Sequence, residues 1–101
     1  MLKNKGEERR AFRQALWEKQ KGLCYYCQRP TRILVMAPGE KSPPDMATFD
    51  HIIPRSQMKG VDYRRNVAIA CNECNGRKGT MREKIFRQLL RLEREVDAAI
   101  A

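Results

Sequence analysis

Apolar residues along the chain fall into blocks separated by polar or proline-rich stretches, and the spacing within each block predicts an element. Residues 7–21, EERRAFRQALWEKQK, are rich in helix formers, with Ala11, Phe12, Ala15 and Leu16 on one side and Gly22 placed to stop the helix. After Cys27 comes RILVMA, then APGEKSPPDM, whose prolines and glycine forbid regular structure, then ATFDHII. Two such runs around a long turn predict a β-hairpin, with Asp50 and His51 at the end of its second strand just before Pro54 stops the ladder. Residues 55–65, RSQMKGVDYRR, read as a polar loop, and NVAIAC as a short apolar stretch. The rest is helical. A short helix is expected over Asn75–Lys78, then a break at Gly79, then a long helix over about 81–100 opened by a Thr80/Glu83 capping box. Ile85, Leu89, Leu92, Val96 and Ile100 recur at spacings of three and four, the stripe of a helix packed on one face, and Phe86 and Leu90 broaden it.

A chain of 101 residues suits one domain, and a core of that size is marginal without a staple. The four cysteines supply a candidate. Cys24, Cys27, Cys71 and Cys74 form two CxxC pairs, CYYC and CNEC, separated by 43 residues, and two such knuckles can close four sulfurs tetrahedrally around zinc. Disulfides are the competing use of these thiols. The charged start, MLKNKGEERR, has no apolar segment behind it, so a reducing, cytoplasmic setting is expected, and free thiols there favour zinc. A redox-active CxxC would need only one pair and a surrounding βαβ pattern, which is missing.

The formal net charge is +9, with a pI near 9.8. Such an imbalance attracts polyanions, although charge alone does not separate a nucleic-acid binder from a ribosome-associated or merely soluble protein. No apolar run approaches the roughly 20 residues that span a bilayer, so no membrane role is expected.

The one histidine of the chain, His51, stands directly after a carboxylate, Asp50. Hydrolysing a phosphodiester requires a base to activate water and positive charge to stabilise the developing anion and the departing oxygen. An imidazole suits the first task, and a hard cation such as magnesium, held by a carboxylate and an amide carbonyl, suits the second. Asp50 and Asn75 are groups of the right kinds. Neighbours on a strand point to opposite faces, so Asp50 and His51 can serve one site only if the strand end twists or bulges, or if base and metal flank the substrate. A lone histidine in an apolar strand is otherwise a hydrogen-bonded core residue. Asn66 and Asn75 have rival readings as turn and helix-capping residues. Arg55, Arg77 and Lys78 lie next to the proposed site in sequence and are candidates for gripping phosphates, with solvated surface as the alternative. Tyr25, Tyr26 and Trp17 read as packing around the knuckle and the first helix.

CYYC, then FDHIIPRS, then NVAIACNECNGRKG, in that order over about residues 23–79, resembles the HNH endonucleases, nucleases of the ββα-metal type, in their four-cysteine form. The resemblance implies an α+β fold: a small zinc-stapled, treble-clef-like domain with flanking N- and C-terminal helices, the whole of 1–101 forming one domain. It implies that His51 is the general base, that Asp50 and Asn75 bind the catalytic divalent ion, and that Asn66 fixes the loop that orients the histidine. With asparagine in the third position the chain is of the HNN variety, which suits magnesium or manganese and not the softer metals that a second imidazole favours. The loop after PRS carries QMKGVDY where relatives commonly have a Gly-Gly pair.

The expectation is a metal-dependent endonuclease that hydrolyses phosphodiester bonds in DNA, ahead of RNA, nicking with weak sequence preference because nothing outside the core reads bases. The zinc is structural, since four sulfurs leave it no open position. The long final helix is expected to track phosphates on one side. The alternative is a non-catalytic zinc-stabilised module that binds nucleic acid or serves as an accessory subunit, for example in a phage packaging or recombination machine. A zinc domain that binds proteins is a third reading, and it predicts weak, salt-insensitive binding to nucleic acid.

Overall fold

A computed structural model describes residues 4–54, 57 and 63–100. The order is α1 (Lys5–Lys19), β1 (Ala47–His51), a 3-10 turn (Tyr63–Arg65), β2 (Val67–Cys71), α2 (Asn72–Lys78) and α3 (Glu83–Ile100). Among the described residues no helix is long and apolar enough to cross a membrane.

α1 begins two residues earlier than the pattern predicts because Asn4 caps it, its side chain accepting from the Glu7 N–H at 2.9 Å. It ends before Lys21 and Gly22, which both adopt positive φ (58° and 73°). Gly22 is required there: a Cβ would sit 2.9 Å from the Trp17 ring. The Trp17 indole N–H in turn donates to Thr31 Oγ1 at 2.9 Å, which fastens the helix to the first knuckle.

The hairpin differs from the expectation. β1 pairs antiparallel with β2, from Ala47 opposite Cys71 to His51 opposite Val67, and not with RILVMA. That run meets the start of β1 only at Arg32 among the described residues, through an isolated bridge to Met46 and an ion pair with Asp45, and Val35 is 92% exposed. The physical reason lies in the two ends of VAIAC. Asn66 clamps its start, and Cys71 ties its end to the cysteine cluster, so pairing there adds packing that a segment bracketed by Pro30 and Pro38 does not bring. β2 is buried along its whole length. Its outer edge is capped at Ile69: the Gln20 amide accepts from Ile69 N–H at 2.9 Å and donates to Ile69 C=O at 3.0 Å, and Tyr25 N–H donates to the same carbonyl at 2.9 Å, in place of a third strand.

Cross-strand neighbours share a face, so Thr48, Asp50, Ala68 and Ala70 face one way, and Phe49, His51, Val67 and Ile69 the other. α2 lies on the first face, where two alanines permit close approach, and α1 reaches the second through Phe12 against Phe49, ring centroids 5.8 Å apart. The core gathers at the cysteine end. Cys24, Tyr26, Ala70, Cys71, Cys74, Phe86 and Leu90 form one buried cluster.

Three further expectations are corrected. α2 starts at Asn72, capped by Cys71 and not by Asn75, which lies inside the helix. α3 starts at Glu83, whose carboxylate accepts from the Tyr25 hydroxyl and from Arg87, both at 2.7 Å, in place of closing a capping box. The apolar stripe of α3 is also turned outward. Phe86 and Leu90 enter the core, while Ile85, Leu92, Val96 and Ile100 are each more than half exposed. Phe86 and Leu90 each follow a stripe residue by one position, about 100° around the helix, so burying that pair rotates the stripe away.

Candidate functional site

Two constellations flank the hairpin, one at each end. At the Ala47–Cys71 end the sulfurs of Cys24, Cys27, Cys71 and Cys74 all lie within 4.8 Å of one another. A tetrahedron of sulfurs around zinc has edges of roughly 3.8 Å, given Zn–S bonds near 2.3 Å. The Cys27 and Cys71 sulfurs, 3.9 Å apart, already match that spacing. Backbone N–H groups point at the ligands: Tyr26 N–H donates to Cys24 Sγ and Cys74 N–H to Cys71 Sγ, each at 3.4 Å. Burial alone would raise the Cys27 thiol, but Arg29, whose Nε–H donates to Sγ at 3.4 Å, helps bring it down to about 7. Burial pushes Cys71 up to about 11 and drives Cys74 upward as well. The donor set fits a closed structural zinc site, whose ion would hold all four as thiolates.

At the other end, where β1 runs out, a cleft of about 290 Å³ is lined by Phe49, Asp50, His51, Pro54, Asn75, Gly79 and Thr80. Asp50 arrives from the α2 face of the strand and His51 from the opposite face, so the two flank the cleft at the strand terminus. Asn75 comes from the middle of α2. Its amide nitrogen donates to Thr48 Oγ1 and Phe49 C=O, both at 3.0 Å, which leaves Oδ1 as the acceptor available for a cation.

Asp50 is 3% exposed. Its Oδ2 accepts from the Tyr26 hydroxyl and lies 3.4 Å from Lys78 Nζ. Burial raises its carboxyl above the ordinary range, and the Tyr26 and Lys78 contacts only partly counter that effect. Both partners engage Oδ2, so among the described residues Oδ1 has no hydrogen-bond donor. The two open oxygens, one from a carboxylate and one from an amide, are hard donors of the kind that magnesium accepts. Burial also raises the Tyr26 phenol, with the hydrogen bond to Asp50 adding to it.

Asn66 is buried and pairs by its side chain with the backbone of Ile53, accepting from N–H at 2.8 Å and donating to C=O at 2.9 Å. Its own C=O accepts from Ile52 N–H at 2.8 Å. These bonds extend the ladder past His51 and fix the chain that leaves it. Lys78, expected at the surface as a phosphate grip, is instead 1% exposed, and its ammonium donates to His51 C=O at 2.8 Å. This corrects the expectation: an ammonium committed to Asp50 and to a backbone carbonyl inside the fold does not reach a phosphate. Arg77 is on the surface but ion-paired with Glu93. Arg55 lies outside the described residues, as does most of the QMKGVDY loop.

Tyr26 and Thr48 are the contributors that sequence reasoning missed. Tyr26 stands 24 positions before its carboxylate partner, and nothing in CYYC signals where a hydroxyl will point. A second hollow, of about 340 Å³ and lined by Arg29, Asp45, Cys71 and Glu73 among others, has its charges internally paired (Arg29 with Glu73, Arg32 with Asp45) and carries no base.

Comparison with known proteins agrees with this geometry. The family model described as HNH endonuclease matches residues 24–81, which contain both cysteine pairs, β1, β2 and α2. No curated protein and no solved structure matches.

Proposed function

The chain belongs to the HNH endonuclease family, and from that membership we propose that it is a metal-dependent nuclease that cleaves phosphodiester bonds in DNA, nicking one strand per encounter with weak sequence preference. The observation that carries this reading is the convergence of Asp50, His51 and Asn75 on one cleft at the end of β1. The 101 residues act as one domain in it.

His51 is the general base and takes a proton from the attacking water. Asp50 Oδ1 and Asn75 Oδ1 are the oxygens that would hold a magnesium or manganese ion. Such an ion, when bound, supplies positive charge for the pentacoordinate transition state and for the leaving oxygen. Asn66 is a positioning residue: by pairing with Ile53 it fixes the backbone beyond His51, and so the direction of the imidazole. Lys78, through the His51 carbonyl, holds the same strand end from the other side. The zinc at the cysteine cluster has no part in the chemistry. A single site of this size breaks one strand at a time, so a double-strand break requires a second visit or a second copy.

The experiment is plasmid cleavage with magnesium or manganese added back after EDTA treatment, comparing the wild type with His51→Ala, with zinc content and folding checked in both. Metal-dependent nicking is expected in the wild type, lowered by roughly 10²–10⁴-fold in the folded, zinc-loaded variant. A wild type that binds DNA but never cuts it, across metals and pH, would instead establish a non-catalytic zinc module that binds nucleic acid.

A further inference from the structure

With a net charge of +9, many surfaces could attract DNA, but the internal pairing of the arginines narrows the choice. α3 is long, and it looks basic in sequence. Within it, however, Lys84, Arg87, Arg91 and Arg94 are matched by Glu83, Glu93, Glu95 and Asp97, so the helix is neutral. Arg87 is bonded to Glu83, and Glu93 takes up the charge of Arg77 from α2. α1 differs. Its five basic residues outnumber its three acids, and its middle carries Arg9, Arg10 and Arg13 with no acid among residues 9–13.

The placement of α1 ties those charges to the cleft. Arg9 Cζ lies 5.4 Å from the centroid of the Phe49 ring, and Phe12, one turn on, packs against the same ring. Arg13, four residues after Arg9, lies on the same side of the helix. Phe49 lines the cleft and shares its face of β1 with His51, two residues along. A guanidinium resting over an aromatic ring stays accessible at its edge for a forked contact with phosphate, because the ring occupies only its face.

We propose that the DNA strand leaves the cleft on the His51 side and runs over α1, with Arg9 and Arg13 holding the flanking phosphates and Phe49 forming the floor between them and the cleft. α3 takes no direct part. The proposal rests on the cleft as the place where the phosphodiester is held, and it assigns the substrate path that the expectation for the final helix placed elsewhere.

The test compares two charge reversals of equal size at exposed positions, Arg9→Glu on α1 and Arg94→Glu on α3. Binding of a fluorescently labelled DNA duplex is measured against salt concentration, in buffer without magnesium or manganese, after zinc content and folding are verified. Arg9→Glu is expected to weaken binding by roughly tenfold and to flatten the slope of log affinity against log salt by about one, the signature of a lost phosphate contact. Arg9→Lys should retain most of the affinity, and Arg94→Glu should leave the slope unchanged. The proposal is overturned if Arg94→Glu costs as much as Arg9→Glu, or if Arg9→Glu binds like the wild type. Because no catalytic ion is present, the outcome is independent of cleavage: a protein that binds along α1 and never cuts would sink the nuclease reading and leave this path standing.

Discussion

The two ends of the one hairpin are built on opposite principles. At the Ala47–Cys71 end, four sulfurs and the rings of Tyr26 and Phe86, whose centroids are 5.1 Å apart at 79°, make a closed cluster with little polar content besides the ligands. At the His51–Val67 end, Asp50, Asn66 and Lys78 are buried together beside an open cleft. One strand separates them, five residues long. The cysteine end holds the fold together, and the cleft end carries charges whose burial opposes folding unless each finds its partner. Tyr26 joins the two, with its ring in the core and its hydroxyl on Asp50.

The contrast breaks most severely at the cysteine end. Cys74→Ser removes one of four ligands from a site whose zinc contributes on the order of 10 kcal/mol to folding in small domains. The expected result is a zinc-free, unfolded chain by circular dichroism and metal analysis. A variant that still unfolds cooperatively without zinc would mean that the apolar cluster suffices.

A smaller but more informative effect is expected at the cleft. Lys78→Met strands the buried Asp50 carboxylate and should cost about 3–5 kcal/mol in urea unfolding with zinc retained. The double variant Asp50→Asn/Lys78→Met should recover much of that loss, since the stranded charge is then gone. If the losses simply add, Lys78 stabilises through its bond to the His51 carbonyl and not through Asp50.

The smallest effect has the opposite sign. Gln28, directly after the first knuckle, adopts φ 63°, a left-handed conformation that costs a side-chain-bearing residue about 1 kcal/mol. Gln28→Gly should therefore raise the melting temperature slightly, with zinc content unchanged. No gain would mean that the Gln28 amide's bond to Tyr25 C=O, at 3.2 Å, offsets the strain.

Much of this arrangement was legible in the residues. CYYC and CNEC, with their spacing, indicate the metal cluster, and both the first and last helices lie within two residues of their predicted starts. Local periodicity carries that information because a helix is stabilised by neighbours three and four positions away. The errors arose where the choice depended on partners far along the chain. RILVMA has the composition of a strand, but VAIAC is anchored at both ends and takes the ladder. The stripe through Ile85 and Leu92 has the period of a buried face, yet a turn of about 100° sends Phe86 and Leu90 inward.

The sequence by itself determined the kinds of chemistry available: four thiols, one imidazole, a carboxylate beside it and a surplus of arginines. Only the tertiary structure decided which atoms are left to act. It places Tyr26 and Lys78 on one oxygen of Asp50, turns the Asn75 amide nitrogen toward Thr48 and Phe49, and draws Lys78 away from the surface. These contacts span 24 to 28 positions of chain. Side-chain direction over such separations is set by the packing of α2 and the first knuckle against the hairpin, and no local pattern of residues encodes it.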